Sequence, residues 1–224
     1  VHSPGTICWV AKKDSPIKSI KDLPGKTVGF STPGSVSETL LQMSLKAAGL
    51  DPTQVKTKAA GGIGENMTLL DSGGLDIAFS IDPIITQRKD AIRIIFFARD
   101  YVPRYLQTVW VASPSALVKN PKEVSGLLRA RKRGLEYIVA KPKDAAGIFA
   151  RVAKQSEPVV EFTLANERPN EYFADGSLDG KALALVVDGM RIGRLIGTDK
   201  VPLAKMVDQS ALPQTGRSTI PEQA

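Results

Sequence analysis

Short alternating runs of apolar and polar residues fill the first half of the chain, and a helical period takes over in the second. Residues 7–12, 26–31, 55–60, 76–81, 91–98 and 107–113 each read as a strand, being short, partly β-branched and bounded by turn residues. Between the second and third of these, Val36, Leu40, Met43 and Ala47 keep one helical face, and Gly49 is a natural stop. Residues 65–72 predict a short helix closed by Gly73 and Gly74. Strand–helix alternation of this kind predicts an α/β layer on a largely parallel sheet.

Beyond Ser113 the pattern predicts helices and no strand. Val124, Leu127, Leu128, Leu135, Ile138 and Val139 form one stripe, with Arg131 inside it and Pro142 closing it. Residues 144–154 and 159–165 continue as helices, and residues 181–196 form a long amphipathic one before Gly197. Ser210-Ala211-Leu212-Pro213 opens a polar tail.

The strongest local signal is Phe30-Ser31-Thr32-Pro33-Gly34-Ser35-Val36-Ser37-Glu38. A strand ends, hydroxyl residues and glycine turn the chain, and a helix starts at Ser35 with Glu38 at capping-box spacing. The first turn of a helix presents unpaired N–H groups and the positive end of the dipole, so an anion fits there without a dedicated cation. Thr32, Ser35 and Ser37 add hydroxyl donors. An ordinary capped helix, its amides facing Ser35 and water, is the competing reading. The turn is not a phosphate-binding P-loop, since no lysine follows Gly34, and Gly61-Gly62-Ile63-Gly64 lacks the third glycine of a dinucleotide fingerprint. That second glycine cluster is expected to be a flexible strand-to-helix turn.

Asp82-Pro83 is the second candidate. At the carboxyl end of a parallel strand its carboxylate would face the crevice where open α/β sheets bind ligands, although Asp-Pro also simply initiates turns. Asp76 starts the same strand and lies on the order of 20 Å away, too far for a carboxylate pair.

Composition narrows the chemistry. The 224 residues include one cysteine, Cys8, and one histidine, His2, so neither a disulfide framework nor a histidine-based triad or zinc site is expected. No cofactor is expected either. The net charge of +7 is spread evenly, with 13 Lys/Arg against 10 Asp/Glu in residues 1–112 and 17 against 13 in the remainder. Spread charge argues solubility more than nucleic-acid binding. Arg129-Ala130-Arg131-Lys132-Arg133 has no interleaved aromatics and is expected to be a solvated helix face. Trp9, Trp110, Tyr101 and Tyr105 could wall a ligand, but core packing is their default. The apolar runs are too short to span a bilayer. The chain opens on Val with no secretory leader pattern, and we expect a processed chain or a fragment.

Several stretches together resemble periplasmic solute-binding proteins of ABC importers, in the nitrate/sulfonate/taurine and pyrimidine-precursor (NMT1/THI5-like) group. They are Ala11-Lys12-Lys13-Asp14-Ser15, Asp22-Leu23-Pro24-Gly25-Lys26-Thr27-Val28-Gly29, Ser31-Thr32-Pro33-Gly34-Ser35, Ala48-Gly49-Leu50-Asp51-Pro52, Gly73 to Asp76, and Asp82-Pro83. The resemblance implies a type II binding-protein fold, with two α/β lobes hinged by crossing strands near residues 8–12 and 109–112. Residues 1–12 would then end the first lobe and cross over, 13–112 would form the complete second lobe, and 113–224 would be the helical remainder of the first. Ser31, Thr32, Gly34, Ser35 and Val36 would form the ligand-facing turn, with Asp82 and Pro83 on the opposite rim.

In that group the first lobe begins upstream of Val1, so the chain is expected to leave an apolar helical face open to self-association. The implied function is non-catalytic capture of a small organic anion (sulfonate, taurine, nitrate or aromatic carboxylate) outside the cytoplasm, for delivery to a membrane permease. Two alternatives stand beside it. One is the effector domain of a regulator, although no helix-turn-helix is visible. The other is a pyrimidine-precursor synthase, whose histidine and cysteine chemistry His2 and Cys8 hardly furnish.

Overall fold

A computed structural model describes residues 3–168, 177–212 and 217–224. His2 and Pro213 lie outside the described residues. The chain divides into two compact units: residues 4–103 with 189–198, and residues 1–3, 104–188 and 199–224.

The first of these is a sheet of five strands, β1 (Cys8–Lys12), β2 (Thr27–Phe30), β3 (Lys56–Ala59), β4 (Ala78–Ser80) and β5 (Ile92–Phe97). β2 pairs in parallel with β3, and β1 lies between β4 and β5. A parallel bridge from Val28 to Ile77 joins the two ladders, supported by the Gly29 amide donating to the Ile77 carbonyl at 2.8 Å. The order across the sheet is therefore β3-β2-β4-β1-β5. β1 is antiparallel to both neighbours, with Cys8 opposite Ser80 on one side and Phe97 on the other. This corrects the expectation of a largely parallel sheet. The other strands share one direction, and the first strand of the chain is inserted against them.

Alternation along β1 sorts the core onto two faces. Cys8 and Val10 join Met67, Leu70, Leu75, Ala78 and Ile85 beneath the helix α2 (Ile63–Ser72). Trp9 points the other way, fully buried, stacked on Phe96 at 4.9 Å and tilted against Phe79. The helix α1 (Val36–Ala47) buries Leu40, Leu41, Met43 and Leu45; of its predicted face, Leu40 and Met43 are buried, Val36 is half-buried and Ala47 is exposed. Each such leucine contributes about 1.5–3 kcal/mol of transfer free energy. Two single-turn helices, α3 (Ile84–Gln87) and α4 (Ala98–Tyr101), follow β4 and β5.

The other unit is helical among its described residues: α5 (Pro114–Lys119), α6 (Pro121–Ala140), α7 (Pro142–Ala153), α8 (Glu157–Glu167) and most of α9 (Gly180–Ile192). Residues 107–113 are not a strand. Their alternation is genuine, but a strand exists only where a neighbour completes its hydrogen bonds, and no described strand lies beside them. Trp110 and Val111 are accordingly 57% and 89% exposed. α6 buries none of its residues completely, and Leu127 and Val139 of its predicted stripe are exposed. Arg131 within that stripe is half-buried, whereas Arg129, Lys132 and Arg133 are exposed. A small cluster of Ala146, Ala150 and Val160 holds α7 to α8. No described helix is long and apolar enough to cross a membrane.

Candidate functional site

Strand direction decides which loops meet. Because β2, β3, β4 and β5 run together and β1 runs against them, four carboxyl ends and the amino end of β1 share one edge of the sheet. That edge carries the turn from Ser31 to Val36, the glycine turn at Gly61 and Gly62, Asp82 with Pro83, Thr6, and Arg99 just past β5. Every one of these lies in the unit of residues 4–103.

The turn is built from its own hydroxyls. Ser35 is the N-cap of α1, and its Oγ accepts the Glu38 amide at 3.2 Å. Glu38 reaches back one residue further than a capping box requires, accepting the Gly34 amide at 2.6 Å. The buried Ser37 Oγ sits at the centre, accepting the Ser31 amide at 2.9 Å and lying 2.8 Å and 3.0 Å from the Ser31 and Ser35 hydroxyls. Gly34 has φ +78°, which favours glycine, and this lets the chain swing into the helix. The turn therefore satisfies much of itself. The amides of Val36 and Ser37 remain pointed out of the helix start, beside the exposed Thr32.

The glycine turn carries a second helix start. α2 begins after Gly62 with no side-chain cap, and Gly61 (φ +78°) donates its amide to the Ser31 carbonyl at 3.0 Å. It is thus tied directly to the first turn.

Asp82 is 6% exposed and follows β4 through a cis bond to Pro83. Its Oδ1 accepts both the amide and the hydroxyl of Thr86, at 3.1 Å and 2.6 Å, so the carboxylate caps α3. Its own amide donates to the Thr6 hydroxyl at 3.3 Å. Pro83 is the half-buried N-cap of the same helical turn. Asp76 stands well away, accepting the Thr27 amide at 2.8 Å.

Three residues that patterning does not single out complete the edge. Asn66, fully buried on α2, donates through Nδ2 to the carbonyls of Gly61 (3.0 Å), Gly62 (3.1 Å) and Phe30 (3.4 Å). Its Oδ1 accepts the Phe79 amide at 3.2 Å. Gly29 of β2 leaves the space this carboxamide needs, since a Cβ there would overlap Asn66 Oδ1 and stand 2.6 Å from a Leu75 methyl. Arg99 is half-buried, its guanidinium over the Phe97 ring at 4.2 Å and donating to the Gly5 carbonyl at 3.2 Å. Cys8 lies just inside the edge, its thiol donating to the Ser80 carbonyl. Burial raises its pKa well above the usual thiol range, the Asp82 charge raises it further, and Arg99 partly offsets both. Such a thiol stays protonated and is a poor nucleophile. Among the described residues no group of three His, Cys, Asp or Glu side chains could hold a metal ion.

The model of one protein family, described as NMT1/THI5 like, matches residues 1–145. The chain belongs to the NMT1/THI5-like family. A curated relative in Legionella pneumophila, named 4-amino-5-hydroxymethyl-2-methylpyrimidine phosphate synthase, is 27% identical over 156 residues, covering 65% of this chain and 47% of the relative. The chain spans about half the length of the curated relatives it matches. Among solved structures, the periplasmic aliphatic sulphonate binding protein SsuA of Escherichia coli superposes with a TM-score of 0.68 at 20% identity, over 86% of this chain and 60% of that one. The alkanesulfonate-binding protein SsuA of Xanthomonas axonopodis pv. citri, bound to MOPS, gives 0.70 at 18%, over 88% and 69%. These likenesses show the type II periplasmic-binding-protein-like fold of an α/β chain in the NMT1/THI5-like family.

Proposed function

We propose that this chain captures a small organic anion, of the sulfonate class, as part of the solute-binding component of an ABC-type importer. The observation that carries the reading is the start of α1 at the carboxyl edge of the sheet, where the first-turn amides of Val36 and Ser37 have no partner inside the helix and Thr32 is exposed. A sulfonate offers three acceptor oxygens to such donors, and the helix dipole favours its charge. Ser31, Gly34 and Ser35 shape the turn and Val36 adds apolar surface. Asp82 and Pro83 hold the neighbouring rim through α3 and do not need to touch the ligand.

The reading extends to the whole protein. The chain acts outside the cytoplasm, delivers its ligand to a membrane permease, and catalyses nothing. In this reading residues 13–112 are one lobe, of which 13–103 fall in the strand-bearing unit, the crossover is 1–12, and the exposed apolar side chains of the helical part at 113–224 self-associate in isolation. Size-exclusion chromatography with light scattering checks that last point, and a stable monomer refutes it.

Calorimetric titration with MOPS, methanesulfonate, taurine, nitrate and benzoate tests the ligand class. Micromolar binding of a sulfonate, about 8 kcal/mol, is expected, weakening when Thr32 is replaced by valine. Absence of heat across all five ends the anion reading. The similarity to a pyrimidine phosphate synthase favours a second reading, an enzyme of pyrimidine-precursor synthesis. Formation of a pyrimidine phosphate by the purified chain would decide for it. The buried, protonated Cys8 argues against thiol chemistry at this edge.

A further inference from the structure

The Asn66 side chain ties together two strands and the glycine turn at the candidate ligand edge. From α2 its carboxamide reaches the last carbonyl of β2, both carbonyls of the glycine turn after β3, and an amide of β4. The Phe30 carbonyl it holds directly precedes Ser31, where the ligand-facing turn begins. The Phe30 carbonyl also accepts the Ala60 amide at 2.9 Å, and the Ser31 carbonyl accepts the Gly61 amide, so two backbone bonds link the turns beside the carboxamide. The group is fully buried, and only Gly at position 29 leaves it room.

We propose that Asn66 is the positioning residue of the ligand edge, fixing where the Ser31–Val36 turn sits relative to the Gly61–Gly62 turn. The proposal rests on the reading of that edge as the anion site. A carboxamide is the smallest group that offers two N–H donors to the turn carbonyls and an acceptor to the Phe79 amide at once. An aspartate of the same shape would present only acceptors to three carbonyls, and the turns would have to separate. Alanine would take the carboxamide acceptor from the buried Phe79 amide and the side-chain donor from the Gly61 carbonyl, while the Phe30 and Gly62 carbonyls keep the backbone amides of Ala60 and residue 66.

The test compares Asn66→Asp, Asn66→Ala and Asn66→Ser with Leu70→Val, a core change on the same helix that loosens packing without touching the turns. Amide resonances of the whole chain are recorded by ¹⁵N–¹H correlation under conditions where each variant is folded, and affinity is measured with MOPS and methanesulfonate. We expect the Ser31, Thr32, Gly34, Ser35, Val36 and Ser37 resonances to shift in the Asn66 variants, with a tenfold or greater loss of affinity. The Leu70 variant, compared at an equal loss of unfolding midpoint, should leave both unchanged. A merely structural Asn66 would lower the midpoint and leave the turn resonances and the affinity of the folded fraction as in Leu70→Val. That result overturns the proposal. If the aspartate variant does not fold, the alanine and serine variants carry the same comparison. If the unaltered chain binds neither probe, the anion reading falls, and the turn resonances alone decide the positioning role.

Discussion

Replacing glycine by alanine should have opposite signs at Gly29 and Gly64, two positions in the same unit. At Gly29 the new methyl overlaps Asn66 Oδ1 and lies 2.6 Å from Leu75 Cδ1. Neither neighbour yields easily, because Asn66 is held by four partners and Leu75 is buried. Overpacking of this kind costs about 1–3 kcal/mol. Pushing the carboxamide aside strands the buried Phe79 amide, adding about 1–3 kcal/mol. Alanine's advantage over glycine in a strand returns about 0.5–1 kcal/mol, so a net loss of about 1–5 kcal/mol is expected. Gly64, in the first turn of α2, has no atom within 4 Å of an added Cβ. Alanine there should stabilise by about 0.5 kcal/mol through the unfolded chain and helix propensity. Urea unfolding, followed at the blue edge of the emission where a buried indole emits, reads both. With a slope of about 2 kcal/mol/M, the Gly29 midpoint should fall by about 0.5–2.5 M and the Gly64 midpoint rise by a few tenths. A Gly29→Ala midpoint at or above that of the unaltered chain would refute the account of β2 and α2.

Trp9→Phe keeps the stack on Phe96 but removes the indole N–H that donates to the Gly29 carbonyl at 2.9 Å, leaving that carbonyl buried. A loss of about 1–3 kcal/mol is expected, and acrylamide should then quench all remaining tryptophan emission, since Trp110 is exposed. Acid should destabilise the strand-bearing unit. Backbone amides of Lys18 and Ser19 lower the Asp22 pKa, the Thr53 amide lowers that of Asp51, and Arg88 lowers that of Asp71. Lowered folded values give stability that is complete above the unfolded carboxylate's value of about 3.9 and is lost as pH falls through the folded values. Urea midpoints should therefore decline below about pH 4, less steeply in Asp22→Asn, and a midpoint independent of pH there would contradict the assignment. Cys8, buried and held protonated, should react with a disulfide reagent only when the sheet opens, so its labelling rate should rise with urea in step with unfolding. Rapid labelling of the folded chain would place the thiol elsewhere.

Element identity was legible in the sequence where periodicity and caps agreed. Ser35 and Gly49 bracket α1 because a hydroxyl cap and a left-handed glycine (φ +71°) are local requirements, readable without knowing the fold. Strand direction was not legible, because residues 8–12 carry the same alternation whether they run with or against their neighbours. Residues 107–113 mislead for a related reason. Their alternation describes a strand's side chains and says nothing of the partner its backbone needs.

At the candidate site, the turn from Ser31 to Val36 could be placed from its residues, and so could Asp82. The use to which each puts its hydrogen bonds could not. Ser37 as the hub of three hydroxyls and Asp82 as the cap of α3 depend on distances that sequence does not carry. Asn66 left a faint signal, a polar residue in the buried phase of α2 beside Met67 and Leu70. Its complement, Gly29, sits 37 positions earlier on another element, and only the fold joins them.

The inserted first strand also orders events during synthesis. Cys8, Trp9, Val10 and Ala11 are made well before their partners on β5, which end at Phe97. At ~5–20 residues per second the ribosome needs on the order of 4–17 s to supply them. For that interval an apolar segment with two open edges waits without neighbours, the condition under which strands pair with the wrong chain. The charged run Lys12-Lys13-Asp14 sits immediately after it. Charges flanking an apolar strand disfavour such mispairing, and in the finished sheet Lys12 also donates to the Asp71 carbonyl at 2.8 Å.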